Sequence, residues 1–358
     1  MALGQVESVW PVHGNVLVEE GHVYCVAGRS SYLDSGIYVY RLDAATGERL
    51  ASNRFFSRDP ETGGQKESLI HQMNMGGAKP DILSTDGQSI FMRHLRLDKK
   101  TLQQREQFQE HWQNEPNWRQ KHATGHPVYQ NPERGPHLFS PTGFLDDSWW
   151  HRSYWMYGTF FESCCPYMRA AENAPAGRIM ALSDKNAYGY GRRPKFWGWW
   201  TPLEYHLFAT PKNTKPTTLR DRRRKRPEDW QGVILLGPYG TRVPFEWSRE
   251  VPFSVLALVL SKDTLFAAGP PDVLDETKVD VTELMYSDEL ARKKLGSSLA
   301  AWQGQKGAVL WAVSAADGKE LKEYKLDSVP VFDGMAAADG KLYVATQEGK
   351  LVCMGAAE

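Results

Sequence analysis

Short runs of this chain alternate with a period of two. In HVYCVAG (22–28) Val23, Cys25 and Ala27 alternate with Tyr24 and Val26, and in IYVYRL (37–42) Ile37, Val39 and Arg41 alternate with Tyr38, Tyr40 and Leu42. That period places successive side chains on opposite faces of a strand, so residues 21–55 read as strand, turn, strand, turn, strand. The same grammar returns in KGAVLWAVSAADGKELKEYKLDS (306–328) and in FDGMAAADGKLYVATQEGKLVCMG (332–355), with less regular copies at 80–103 and 177–196. Asp-Gly, Glu-Gly and Thr-Gly pairs between the runs put glycine where a tight turn requires positive φ.

Several predicted strands are apolar on both faces. In SYWMYGTFF, Tyr154, Met156 and Phe160 share one side, and Trp155, Tyr157 and Phe161 the other. A sandwich with one solvated face alternates more cleanly. Meanders stacked radially, each covered on both sides, do not, and that is the pattern of a β-propeller. The expected fold is therefore all-β across residues 1–358, with roughly five blades in this chain. Within PTGFLDDSWWHRSYWMYGTFFESCC (141–165), Trp149, Trp150 and Trp155 read as wedge-filling core, with Asp146, Asp147 and His151 at the entrance of the strand. Residues 102–136 are polar and Gln-rich, which predicts an exposed insertion. Residues 273–304 carry Leu290, Leu295 and Leu299 behind Ser287 or Asp288 as N-cap, which predicts a helix on the rim.

Charge adds little. Lys plus Arg and Asp plus Glu both number 43, so no global field favours nucleic acid or an anionic membrane. The run Arg220, Arg222, Arg223, Arg224, Lys225 and Arg226 sits in the basic loop 211–230 and reads as a solvated connection, so no nucleic-acid partner is expected. The longest apolar run, VPFSVLALVL (251–260), is about half of what a membrane-spanning helix needs. The opening MALGQVESVW has no basic segment followed by an apolar one, so no signal peptide is expected at this start. Four cysteines do not make a disulfide framework; Cys25 and Cys353 are expected as buried thiols on inner strands.

Candidate chemistry gathers at His137, Asp146, Asp147, His151, Glu204 and His206. In PLEYHLF the spacing of Glu204 and His206 puts both on one strand face. If these loops meet at the propeller mouth, they hold a divalent metal or run acid–base chemistry. The alternative is that Asp146 closes an Asx turn and the histidines hydrogen-bond within aromatic packing. No spacing approaches that of a His-Glu-x-x-His helix.

The turn RLDAATGERLA (41–51) resembles the tryptophan-docking repeat of pyrroloquinoline quinone (PQQ)-like propellers, in which Asp, Thr-Gly and a following Trp lock adjacent blades. Asp43, Thr46 and Gly47 match, with Ala51 in the Trp place. Asp317 and Gly318 match the Thr-Gly pair in part, with Lys322 in the Trp place. ESVWPVHGNVLVEEGHVYCVAGRSSYLDSG, HLFSPTGFLDDSWWHRSYW, TPLEYHLFA and GPPDVLDE together resemble PQQ-binding-like propeller repeat proteins of planctomycete-type bacteria. The resemblance implies a scaffold binding a protein, peptide or glycan partner in the periplasm or cell envelope, the cytoplasm being the alternative. It also implies an N-terminal propeller half outside this chain, so that the blades here are expected to form an incomplete ring; the alternative is that the opening VESVWPVHGNVLV supplies the outer strand of the last blade and closes the ring.

Quinoprotein alcohol dehydrogenases of the same fold stack their quinone on a vicinal disulfide, for which Cys164–Cys165 is the match. Their calcium ligands and catalytic Asp have no identifiable counterpart in this sequence. The leading expectation is a non-catalytic scaffold with no cofactor. A PQQ- and calcium-dependent oxidoreductase and a metal-assisted hydrolase or lyase are the alternatives.

Overall fold

The computed structural model describes residues 6, 8–12, 16–28, 31, 34–56, 61–63, 70–71, 74–75, 82–92, 95–105, 136–140, 155–158, 174–193, 204–212, 243–275 and 288–355. Two compact units divide the chain, Met1–Tyr167 with Pro216–Glu228, and Met168–Lys215 with Asp229–Glu358.

The first unit opens with β1 (Leu17–Glu19), β2 (His22–Ala27), β3 (Ile37–Asp43) and β4 (Arg49–Phe55), paired in that order. A hairpin of β5 (Ile70–His71) and β6 (Asn74–Met75) follows, then the sheet β7 (Leu83–Thr85), β8 (Ser89–Met92) and β9 (Leu95–Asp98). β10 (His137–Phe139) pairs antiparallel with β11 (Trp155–Gly158).

The second unit begins with the short β12 (Ala176–Gly177). Its first full meander is β13 (Ile179–Leu182), β14 (Asn186–Arg192), β15 (Tyr205–Pro211) and β16 (Trp247–Arg249). Its second is β17 (Ala257–Ser261), β18 (Thr264–Gly269), β19 (Ala308–Ser314) and β20 (Glu320–Leu326), with helix α1 (Asp288–Trp302) inserted before β19. Its third is β21 (Pro330–Ala338), β22 (Lys341–Thr346) and β23 (Leu351–Met354).

Among the described residues the three- and four-stranded sheets follow chain order, strand beside next strand, and the strand pairs with a described register are antiparallel. In the second unit the first strands β13, β17 and β21 lie side by side, and in the first unit β7 lies against β2 and β10. The chain is thus all-β and of propeller type, with strands stacked face to face as successive blades.

The sheet β17–β20 explains the apolar run at 251–260. Leu258, Leu265, Ala267 and Val313 pack against Tyr188, Tyr190, Leu207 and Trp247 of the preceding meander. Ala257, Ala268, Leu310 and Leu326 pack on the opposite side against Met335, Leu342 and Val344 of the following one. A strand buried on both faces has no polar alternate positions, so β17 reads as a continuous hydrophobic stretch. In the first unit Tyr24, Val26, Ile37 and Val39 close on Leu83, Ile90, Met92 and Leu97.

The turns repeat one hydrogen-bonding scheme. Asp43 Oδ1 accepts from the Ala45 and Thr46 amides at 3.0 and 2.8 Å and from the Thr46 hydroxyl at 2.9 Å, while the Gly47 amide donates to the Asp43 carbonyl at 2.9 Å. Asp98 does the same with Lys100 and Thr101, and Leu102 takes the glycine place at φ +59°. Leu102, which opens the polar stretch 102–136, is fully buried in the apolar cluster of this unit. Residues 102–105 therefore continue the meander, with Gln104 bridging back to Leu97.

In the third copy Ser314 stands at the Asp place and Asp317 at the Thr place. The Gly318 amide donates to the Ser314 carbonyl at 2.9 Å, and the Lys319 amide to Asp317 Oδ1 at 3.1 Å. Hydrogen bonds from Ser314 and then Lys319 hold the Asp317 carboxyl down to about 2.

A docking tryptophan is present after all, from an unexpected position. Trp247 on β16 donates its indole N–H to the Ala315 carbonyl at 2.9 Å, and its ring lies directly against Gly318. The last strand of one meander is thereby pinned to the turn of the next.

Two expectations are corrected, and the expected helix is present as α1. Leu17–Glu19 pair with Tyr24, Val23 and His22, so this part of the opening segment is the first strand of its own sheet, not the fourth of the last. Cys25 is buried but Cys353 is exposed, because β23 is an outermost strand and Cys353 sits on the side away from Val344. On α1, Leu295 and Leu299 are 50% and 56% exposed while Ala301 is buried. Ala301 lies about 200° around the helix from Leu299, so α1 attaches through Ala301 and Trp302 and turns its leucines outward. The Leu290 side chain lies outside the described residues.

The two glycines separate turn strain from docking. Both occupy the left-handed region, Gly47 at φ +73° with open space at the Cβ position and Gly318 at φ +70° with Trp247 carbons 2.6 and 2.7 Å away. Gly47→Ala is expected to cost about 1 kcal/mol of stability, and Gly318→Ala about 2–4 kcal/mol because overpacking adds to the strain. Urea unfolding of the full chain measures both, and equal losses would mean that Trp247 yields freely.

Candidate functional site

The end of β14 and the start of β15 assemble the densest polar cluster described in the second unit. Antiparallel register sets Gly191 opposite His206 and Arg192 opposite Tyr205, and the Arg193 amide donates to the Glu204 carbonyl at 2.9 Å. The Arg193 guanidinium then reaches Glu204 at 3.3 Å and Glu250, just past β16, at 2.9 Å. Its Nε also donates to the Tyr205 carbonyl at 3.4 Å. One arginine thus ties three strand ends. Glu204 is buried, and a carboxylate taken from water needs such a partner.

His206 occupies a different environment two residues on. It is 2% exposed, with ring centroids 5.1 Å from Phe208 and 5.0 Å from Phe245. Its Nδ1 lies 2.6 Å from Ser248 Oγ on β16, and Nε2 is buried without a hydrogen-bond partner. Burial first, and the positive charge of Arg193 second, push the imidazole down to about 3. At neutral pH the ring is uncharged.

A serine against a histidine invites comparison with a nucleophile–base pair, and the geometry argues against it. A general base works best with a pKa near the operating pH, and a triad orients its imidazole through a third group on the other nitrogen. His206 sits far below neutrality and offers nothing on Nε2. Glu204 is held by Arg193. The pair is a polar tie between β15 and β16 enclosed by phenylalanines.

In the first unit His137 is buried, stacked on Phe91 with centroids 4.3 Å apart and planes 13° from parallel, and tilted against Phe139 at 5.5 Å. It belongs to aromatic packing. Met156 and Tyr157 of β11 are buried and Trp155 half-buried, as a strand covered on both faces requires. Asp146, Asp147, His151, Cys164, Cys165, Trp149, Trp150 and the basic run 220–226 lie outside the described residues. Among the described residues no three His, Cys, Asp or Glu side chains converge as metal ligands. No helix among them is long and apolar enough to cross a membrane.

Sequence reading missed Arg193, Ser248, Glu250 and Phe245. The signal was present in GRRP, two arginines ending a strand whose antiparallel partner opens with Glu204; only the register turns that adjacency into an ion pair.

No family model matches the chain, and no curated protein matches it. Among solved structures it is similar to the quinohemoprotein alcohol dehydrogenase ADHIIG of Pseudomonas putida HK5, at 11% identity over 98% of this chain and 42% of that one, with a TM-score of 0.29. It is similar to the quinohemoprotein alcohol dehydrogenase of Comamonas testosteroni at 9% identity over 98% and 44%, TM-score 0.29. It is also similar to BamB of Moraxella catarrhalis at 11% identity over 96% and 77%, TM-score 0.23. The chain spans less than half the length of the two dehydrogenases. At such identities and TM-scores, function has to be argued from this chain's own geometry.

The buried imidazole makes stability fall in acid. Folded His206 titrates near 3 against an ordinary value of 6.5, so between those values the unfolded state binds the extra proton and folding loses free energy as pH drops. The contribution is complete above about pH 6.5 and is diminished by about 2 kcal/mol at pH 5. In His206→Phe, which keeps the ring and removes both nitrogens, unfolding free energy between pH 5 and 8 should vary less than in the unaltered chain by that amount. An equal change in unfolding free energy between pH 5 and 8 in the two chains would place the proton elsewhere.

Proposed function

We propose that this chain is a non-catalytic propeller that presents its surface to a protein, peptide or glycan partner in a bacterial envelope, as the resemblance to planctomycete-type propeller repeat proteins implies. The observation that carries the proposal is the state of the groups nearest to chemistry. Glu204 is neutralised by Arg193, and His206 is uncharged, enclosed by phenylalanines and tied to Ser248. These side chains join strands. Their arrangement favours a rigid frame over a reactive cleft, and function then rests on exposed surface.

The quinone alternative turns on Cys164 and Cys165. Incubating the purified chain with PQQ and calcium, then desalting, is expected to leave no quinone absorbance on the protein and no alcohol- or sugar-dependent dye reduction. Retained quinone that disappears in Cys164→Ser/Cys165→Ser, together with dye reduction, would replace the scaffold reading with an oxidoreductase. Stoichiometric metal in the purified protein with hydrolytic turnover would replace it with a metal-assisted hydrolase.

A further inference from the structure

The last meander of the second unit is one strand short of its neighbours. Sheets β13–β16 and β17–β20 each have four strands, whereas β21–β22–β23 has three. Among the described residues, the free side of β23 therefore carries backbone donors and acceptors with no strand beyond it. Other outer strands of this chain are blunted by charge: β20 reads ELKEYKL and β4 reads RLASNRF. β23 reads LVCM, with no charge, no proline and no bulge. Leu351 is 68% exposed and Val352 36%, and Cys353 is exposed beside them. An uncharged, apolar and exposed edge strand of this kind is a place for pairing.

Space for side chains opens beside Met354, at the end of β23. A groove of about 480 Å³ runs between the sheet β17–β20 and the last meander, floored by Phe266, Leu310, Tyr324, Leu342 and Met354. Register puts Val352 and Met354 on the face of Val344 and Leu342, towards that floor. Lys262, Lys341 and Asp339 also line the groove, and neither lysine is ion-paired among the described residues. The surplus of positive charge selects an acidic residue in whatever lies there.

We propose that β23 receives an extended peptide segment of a partner protein, which pairs antiparallel as a fourth strand. Its alternate apolar side chains enter the groove and an acidic residue meets Lys262 and Lys341. The proposal rests on the scaffold reading above and names the class of partner. A second copy of this chain fits less well, because its own β23 is four residues long and brings no carboxylate to the lysines.

The test uses the full chain and a fluorescein-labelled ten-residue probe of alternating Val and Thr with one central Glu, followed by anisotropy. Saturable binding is expected, absent for a probe with Pro at alternate positions. Val352→Lys, a change at a partly exposed site, should weaken binding at least tenfold while the melting temperature holds. Lys262→Glu/Lys341→Glu should reverse the preference, binding a Lys-centred probe better than the Glu-centred one, which loss of folding cannot mimic.

Binding no better than the Pro probe, or binding indifferent to Val352→Lys and to the charge swap, overturns the proposal. A dimer in sedimentation that dissociates on Val352→Lys assigns the edge to a second copy instead. Slow exchange in the free monomer at those amides of 351–354 that point away from β22 assigns it to a segment of the chain itself. Failure of probe binding leaves the scaffold reading standing, whereas quinone reduction removes that reading whatever the probe does.

Discussion

Burial on both faces is the constraint from which the rest of this structure follows. A sheet with one wet face is stable alone once it covers its other side. The inner strands of the sheet β17–β20 are covered on both faces: Leu265 and Ala267 need the meander before it, and Phe266 and Ala268 need the one after. At about 25 cal/mol per Å² of apolar surface removed from water, neither face can be left open at small cost. Consecutive meanders must therefore stack, and short turns suffice to join their strands.

Stacking alone does not fix how far one meander slides over the next. Trp247 does that, with a flat ring against Gly318 for position and one indole N–H on the Ala315 carbonyl for direction. Arg193 performs the corresponding task within a sheet, clamping the ends of three strands through Glu204, Glu250 and the Tyr205 carbonyl. These polar ties are few and placed where the apolar core gives no directional information. β23 is where the constraint is relaxed, since its apolar side chains meet no following strand.

The fold was legible because its signals are local. Two-residue periodicity in 22–28 and 37–42, Asp-Gly and Thr-Gly pairs, and doubly apolar strands such as 155–158 each report the backbone around them. The identification of Asp317 and Gly318 with a Thr-Gly pair holds to the level of individual hydrogen bonds. What failed depends on neighbours distant in sequence. Trp247 was invisible as a docking residue because its acceptor is 68 positions away. Cys353 looked internal because its strand is apolar, and only the absence of a strand beyond β23 exposes it. Glu204 and His206 stood out in the sequence by their spacing, yet a sequence does not distinguish a carboxylate awaiting a substrate from one already claimed by Arg193.

Leu102 carries a kinetic implication. At Gly47 the left-handed conformation comes freely, so the β3–β4 turn is favoured by its own residues and can close early in folding. At Leu102 the same conformation opposes the side chain's preference and is held by burial among Val39, Ile90 and Leu97. That turn has no reason to form until the two sheets of the first unit have come together. The two hairpins share a hydrogen-bond pattern yet belong to different stages of assembly, one available to a nucleus and the other a product of condensation.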